Sequence, residues 1–350
     1  MMARRQRMRA TMAACAVTTA CACTPSPPPP HAVSGVAQGT TYSLQWTGNA
    51  AEADVAAAAE QELARIDALL SNYRDDSLLE QFNAARSTTP IELPSELVAL
   101  LELAKRIHSA SEGCFDPTVR PLVRAWGFDG DSPAVPTADA IDEARAAVGL
   151  DKLELVDATH ARKTVPMLEL DMASIGQGYS AGRLAELLER HGSAAYLVEI
   201  GGEVVARGSK PDGSAWRVGI ENPVPATGIG PALRIPPARR TAVITSGSYR
   251  HYLEADSRRF GHIIDPRSGS PVEHALVSVT VVGDDAATAA AWGTALLCLG
   301  PGAAAATAER EGLAALFWRT RDDAPPALEY TRAFASEWHE LLEERRAPGR

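Results

Sequence analysis

Apolar positions recur at intervals of three and four through much of the first half of the chain, and gather into short continuous runs through the second. Val55, Ala59, Leu63, Ile66 and Leu70 fall on one stripe, which predicts a long helix with a single buried face. Pro94-Ser95 opens a second helix with Leu97, Leu100, Leu101, Ala104 and Ile107 facing inward. Thr137 can cap a third that ends at Gly149. A fourth runs from about Gly178 to His191, with Leu184, Leu187 and Leu188 on its apolar face and Gly192 as its stop. Strands are predicted at 35–46, 167–171, 195–200, 216–220, 241–245, 262–265, 277–282 and 313–318. Several contain continuous apolar runs, as expected of a sheet covered on both faces. Helices come mostly first and strands mostly later, so the fold class is α+β rather than a regular βαβ alternation.

The chain has 350 residues, 45% of them hydrophobic, enough for a full core. Its net charge of −10 becomes −14 once Arg4, Arg5, Arg7 and Arg9 are removed with residues 1–20. So acidic a body argues against nucleic acid as the main partner. Those arginines precede the short apolar stretch 11–20, which reads as a signal peptide over 1–20 and is too short to span a membrane. Ala20-Cys21 resembles a bacterial lipoprotein junction, with Cys15 and Cys23 as rivals and a plain cleaved signal as the alternative. Residues 21–34, with Pro27 to Pro30, then read as a stiff tether, and 35–350 as the folded domain. The expected location is exported and anchored to the cell membrane by lipid, facing the periplasm or cell exterior. Cys114 and Cys298 are read as lone buried thiols, with one disulfide between them as the alternative.

Two junctions carry the candidate chemistry. Leu170-Asp-Met-Ala-Ser-Ile-Gly-Gln-Gly178 leads from an apolar run into a helix, whose free N–H groups can hold a phosphate. His262-Ile-Ile-Asp-Pro-Arg-Ser-Gly269 offers a histidine that is either a general base or a structural hydrogen-bonding group. Its Asp265 also suits a turn. Thr245-Ser-Gly-Ser-Tyr249 adds hydroxyls at the end of a strand. No Walker A loop, HExxH or CxxC is present, and no histidines pair at helical spacing.

From Gly35 to about Gly300 the sequence resembles the ApbE-type flavin transferases, the FAD:protein FMN transferases. The matching segments are Gly39-Thr-Thr-Tyr42, Ser71–Ser77 with Asn83, Gly113–Val119, Trp126-Gly-Phe128, Asp171–Tyr179 and Gly201-Gly202. Trp216–Pro223, Thr245-Ser-Gly247, His262–Gly269 and Val277–Thr280 complete the set in order. The resemblance implies an ApbE-like fold, a mixed β-sheet core flanked by helices. It implies an enzyme that cleaves FAD and attaches FMN to a threonine or serine of an exported acceptor protein, releasing AMP. It places Tyr73, Cys114, Phe115, Asp116, Asp171, Gln177, Ser246, Gly247 and Ile263 at the FAD, and His262 as the base. Mg²⁺ is the implied metal, held through Ser174 and Thr294.

The chain departs from the family at that metal. Where the family's helical motif carries one aspartate or two, Ala289-Ala-Ala-Trp-Gly-Thr294 presents Ala290 and Gly293, which supply no side-chain oxygen to a hard cation. Asp284 and Asp285 stand upstream as substitutes or as helix caps. Two rival readings follow: an FAD-binding lipoprotein without transfer chemistry, and an FAD pyrophosphatase.

Overall fold

The computed structural model describes residues 28–130, 134–223, 229–249, 252–255, 258–321 and 324–343. The segment read as a signal peptide and the cysteine of the expected lipoprotein junction lie outside them. The first strand begins at His31, inside the stretch read as tether.

Eight strands form the central sheet: β1 (His31–Ala37), β2 (Thr40–Trp46), β3 (Tyr196–Ile200), β4 (Glu203–Arg207), β5 (Thr241–Gly247), β6 (Leu276–Gly283), β7 (Ala314–Arg321) and β8 (Ala324–Tyr330). They lie side by side in chain order, and each pairing is antiparallel. The α+β class therefore holds, but the sheet is not mixed. Even the long connections return beside the strand they left in the opposite direction, so no parallel crossover forms.

The continuous apolar runs have the expected cause. Ala242 and Ile244 of β5 face one core while Val243 faces another, and Ala315 and Phe317 of β7 flank Leu316 in the same way. On the larger side pack α1 (Glu52–Leu70), α2 (Ser95–Ala110), α3 (Ala173–Arg190) and α4 (Ala286–Leu299). On the smaller side, Trp216, Val218, Ile220, Leu233, Phe334 and Trp338 close over the sheet. A third cluster, around Leu122, Trp126, Phe260 and Ile264, joins the 120–125 helix to the 252–261 hairpin.

Four local readings change. The single strand at 35–46 is a hairpin turning at Gln38-Gly39, both with positive φ. The segment 167–171 is not a strand. Its backbone bonds to side chains instead: Leu170 N donates to Asn83 Oδ1 (2.7 Å), and Asn83 and Asn72 each donate to Leu170 O (2.9 Å). The helix after it starts at Ala173, so Gly176 and Gly178 lie within its first turns rather than before it. Gly178 marks where α3 crosses α4: a Cβ there would stand 2.5 Å from Ala286 O and 2.7 Å from the Cβ of Ala290. Of 262–265, only Ile264–Asp265 pairs as strand.

Candidate active site

The first turn of α3 meets the end of the sheet that carries the Gly201-Gly202 turn and the last residues of β5, and a cavity of about 670 Å³ opens there. Every residue assigned in advance lines it: Tyr73, Cys114, Phe115, Asp116, Asp171, Ser174, Gln177, Ser246, Gly247, His262, Ile263 and Thr294. They come from loops, helices and strands far apart in sequence, and folding brings them together.

One wall is made of loops held by their own hydrogen bonds. Asp116 is buried, and both of its carboxylate oxygens are engaged. Oδ1 accepts from Thr118 N (2.8 Å) and Thr118 Oγ1 (2.6 Å), and Oδ2 accepts from Leu150 N (3.0 Å). His108 Nδ1 lies 3.6 Å away. Burial still pushes the Asp116 carboxyl upward, against these donors. Asp171 is fixed from both sides. Its N–H donates to Pro117 O (2.6 Å), and Met172 N donates to Asn72 Oδ1 (3.2 Å). Asp171 Oδ1 accepts from Ala173 N (2.8 Å) at the start of α3. Burial raises this carboxyl too, opposed by that helix N–H and by Arg120. Tyr73 stands largely exposed at the mouth, where a ring system can stack on it.

Cys114 is not a free thiol. It forms a disulfide with Cys298 of α4, which overturns the expectation of lone thiols. The two lie far apart in sequence, so only the packing of the 114–119 loop on α4 brings them together. The bond ties the loop wall to the helix that carries Thr294. It also removes both sulfurs as metal ligands, although they cluster with Asp265. The carboxylate of Asp265 serves the turn, accepting from Arg267 N (2.9 Å), Nε (2.9 Å) and Nη2 (2.8 Å).

The opposite wall is made of sheet and helix. Ser246 Oγ lies 3.5 Å from Thr294 Oγ1, and Gly293 permits that approach, since a Cβ there would stand 2.7 Å from Ser246 Oγ. The amide of Gln177 covers Gly201. Asp285 caps α4 by accepting from Thr288 N (2.8 Å), so it serves the helix end.

Several lining residues were not among those assigned. Thr40, Val119, Phe128 and Glu221 lie within the matching segments, whereas Tyr249 belongs to the hydroxyl-bearing loop. Glu203 had no sequence signal beyond following Gly201-Gly202. Its Oε2 accepts from Thr245 N (3.2 Å), and burial pushes the carboxyl up to about 8, helped by nearby Glu199. Among the described residues the lining includes four carboxylates, Asp116, Asp171, Glu203 and Glu221, and no lysine or arginine.

The sequence model of the ApbE family matches residues 38–317. The chain belongs to the ApbE family. It is 39% identical over 290 residues to the FAD:protein FMN transferase of Salmonella typhimurium, covering 80% of this chain and 82% of that protein. It is 37% identical, with the same coverage, to that of Escherichia coli. Among solved structures, the apo flavinyl transferase ApbE of Pseudomonas stutzeri superposes with a TM-score of 0.80 at 37% identity, over 89% of this chain and 96% of that one. The flavin transferase ApbE of Vibrio cholerae gives 0.81 at 32% identity, over 88% and 99%. The twelve residues around the cavity are thus held on an ApbE fold.

Proposed function

We propose that this ApbE-family chain is an FAD:protein FMN transferase: it binds FAD in the cavity and transfers FMN to a threonine or serine of an acceptor protein. The observation that carries this reading is the convergence of all twelve assigned residues on one cavity, whose volume suits a ligand of that size. In the transfer, the acceptor oxygen bonds to the phosphorus of the FMN half and the bond from that phosphorus to the bridging oxygen breaks. AMP leaves with the bridging oxygen. His262 lines the cavity as the base that takes the acceptor hydroxyl's proton. Of the first N–H groups of α3, those of Ala173, Ile175 and Gly176 are taken by Asp171 Oδ1 and Met172 O, which among the described residues leaves the N–H of Ser174 for phosphate charge. Asn72 and Asn83 fix the backbone on either side of Asp171, so that its carboxylate is aimed before FAD arrives.

A pyrophosphate in a cavity lined, among the described residues, by four carboxylates and no lysine or arginine calls for a counter-cation. The donors around Ser246 and Thr294 are oxygens, which fits a hard divalent ion. Ser174, Thr294 and neighbouring oxygens would hold Mg²⁺, whose contribution is to offset pyrophosphate charge.

The same proposal extends to location: an exported lipoprotein whose acceptor is also exported. The arginine-led segment 1–20 supports it, and so does the Cys114–Cys298 disulfide, since such bonds persist in oxidising compartments. The absence of side-chain oxygen at Ala290 and Gly293 favours a second reading, an FAD-binding protein without transfer chemistry. Incubating the protein with FAD, Mg²⁺ and a domain bearing an acceptor threonine separates them. FMN on the acceptor by mass spectrometry, with AMP released, establishes transfer. AMP alone indicates hydrolysis, and FAD retained intact indicates binding only.

A further inference from the structure

The helix that should anchor the metal has no acid to offer. At Gly293 there is also little room for one, because a Cβ would already crowd Ser246 Oγ at 2.7 Å. Ala290 is buried against Gly178 of α3. What α4 presents to the cavity is Thr294, beside Ser246 of β5. Neutral hydroxyls alone make a poor site for a doubly charged ion, which calls for an anionic oxygen close by.

The sheet supplies one. β4 pairs antiparallel with β5, with Val204 opposite Val243 and Val205 opposite Ala242. Continuing that register places Glu203 opposite Ile244 and diagonal to Ser246. Directly opposite residues share a face, and Val205 and Ile244 both lie in the core beneath the helices. Glu203 therefore projects to the helix side of the sheet, the side of Ser246 and Thr294. Its Oε2 reaches Thr245 N, the backbone next to Ser246, at 3.2 Å. That is the carboxylate's one hydrogen bond among the described residues, and no lysine or arginine lining the cavity neutralises it. Among the described residues a carboxylate so placed, on the face of the sheet that carries Ser246 and meets Thr294, has no positive partner, and a cation from solution supplies it.

We infer that Glu203 is the anionic metal ligand of this enzyme, holding a divalent cation with the Ser246 and Thr294 hydroxyls in place of the acids missing at Ala290 and Gly293. The inference rests on the magnesium reading proposed above. It relocates the charge of the metal site from helix α4 to strand β4.

The test is binding, read independently of turnover. The purified protein is titrated with Mn²⁺ in the presence of FAD, and free Mn²⁺ is followed by electron paramagnetic resonance. The unaltered protein is expected to bind one Mn²⁺ that Mg²⁺ displaces. Glu203→Gln should weaken binding at least about tenfold while its melting temperature without metal does not fall. Glu203→Asp, which keeps the charge, should bind better than Glu203→Gln, and Thr294→Ala should also weaken binding. Full binding by a folded Glu203→Gln protein overturns the assignment and leaves the magnesium reading standing. No Mn²⁺ binding by the unaltered protein overturns both.

Discussion

Asp116 and Glu203 line the same cavity, and burial pushes both carboxyls upward, yet they are built differently. Asp116 sits in the loop wall with both oxygens committed to Thr118 and Leu150. Glu203 sits in the sheet wall with a single backbone donor. A buried acid whose oxygens are all engaged holds the loop in shape, whereas one with an oxygen to spare can meet a ligand. Lining a cavity does not by itself separate the two roles. Counting the partners of each oxygen does.

Mutations can break this contrast or sharpen it. The largest effect is expected at His262, which lines the cavity with both acids: His262→Ala should lower FMN transfer by about 10²- to 10⁴-fold with FAD still bound. Unchanged transfer in a mass-spectrometric assay would remove it as the base. Asp116→Ala should show the structural side of the contrast. It leaves Thr118 N and Leu150 N without their acceptor and should destabilise by about 3 kcal/mol in urea unfolding. A fully stable variant that merely binds FAD poorly would place Asp116 with the ligand-facing acids instead.

The disulfide joins the two walls, so replacing Cys114 and Cys298 together by serine should cost about 2–4 kcal/mol and weaken FAD binding. If only stability falls, the clamp serves the fold and not the cavity. Asp171→Ala should raise the dissociation constant for FAD, measured by flavin fluorescence, with a smaller loss of stability than Asp116→Ala. Its oxygen serves one N–H, that of Ala173, where those of Asp116 serve several groups.

A further effect concerns pH. Glu203 is held near 8 in the fold against 4.5 when unperturbed. Between those values the folded chain keeps a proton that the unfolded chain has released. Its contribution to stability is therefore full below about 4.5 and is lost as pH rises through 8. Glu203→Gln has no proton to lose. Without metal it should be the more stable protein at pH 8.5, with the gap narrowing as pH falls to 5. Thermal melts across that range would refute the burial argument if the gap were constant.

The three-and-four spacing from Val55 to Leu70 was enough to identify α1, because an amphipathic stripe depends only on local periodicity. Thr137 as a helix cap and the largely apolar β5 and β6 were legible because they too rest on local sequence. The motif residues of the cavity were legible through family resemblance, which carries three-dimensional information that periodicity lacks. The segment 167–171 has an apolar pattern like a strand's, and nothing in it announces that Asn72 and Asn83 will take its backbone bonds. Gly176 and Gly178 suggested a loop, because glycine is a poor helix former; Gly178 is needed where the backbone of α4 comes close, and that neighbour is more than a hundred residues away, whereas Gly176 has open space.

Sequence by itself determined the helical stripes, the acidic body, the residues proposed for the transfer chemistry, and the lack of acids at Ala290 and Gly293. Tertiary structure decided that Cys114 and Cys298 are joined, that the sheet is antiparallel throughout, and that Glu203 lies on the helix side of the sheet rather than toward the opposite core. Local patterns record which side of an element is buried. Which groups meet across the sheet depends on strand register and helix crossing, and those are set by contacts between segments distant along the chain.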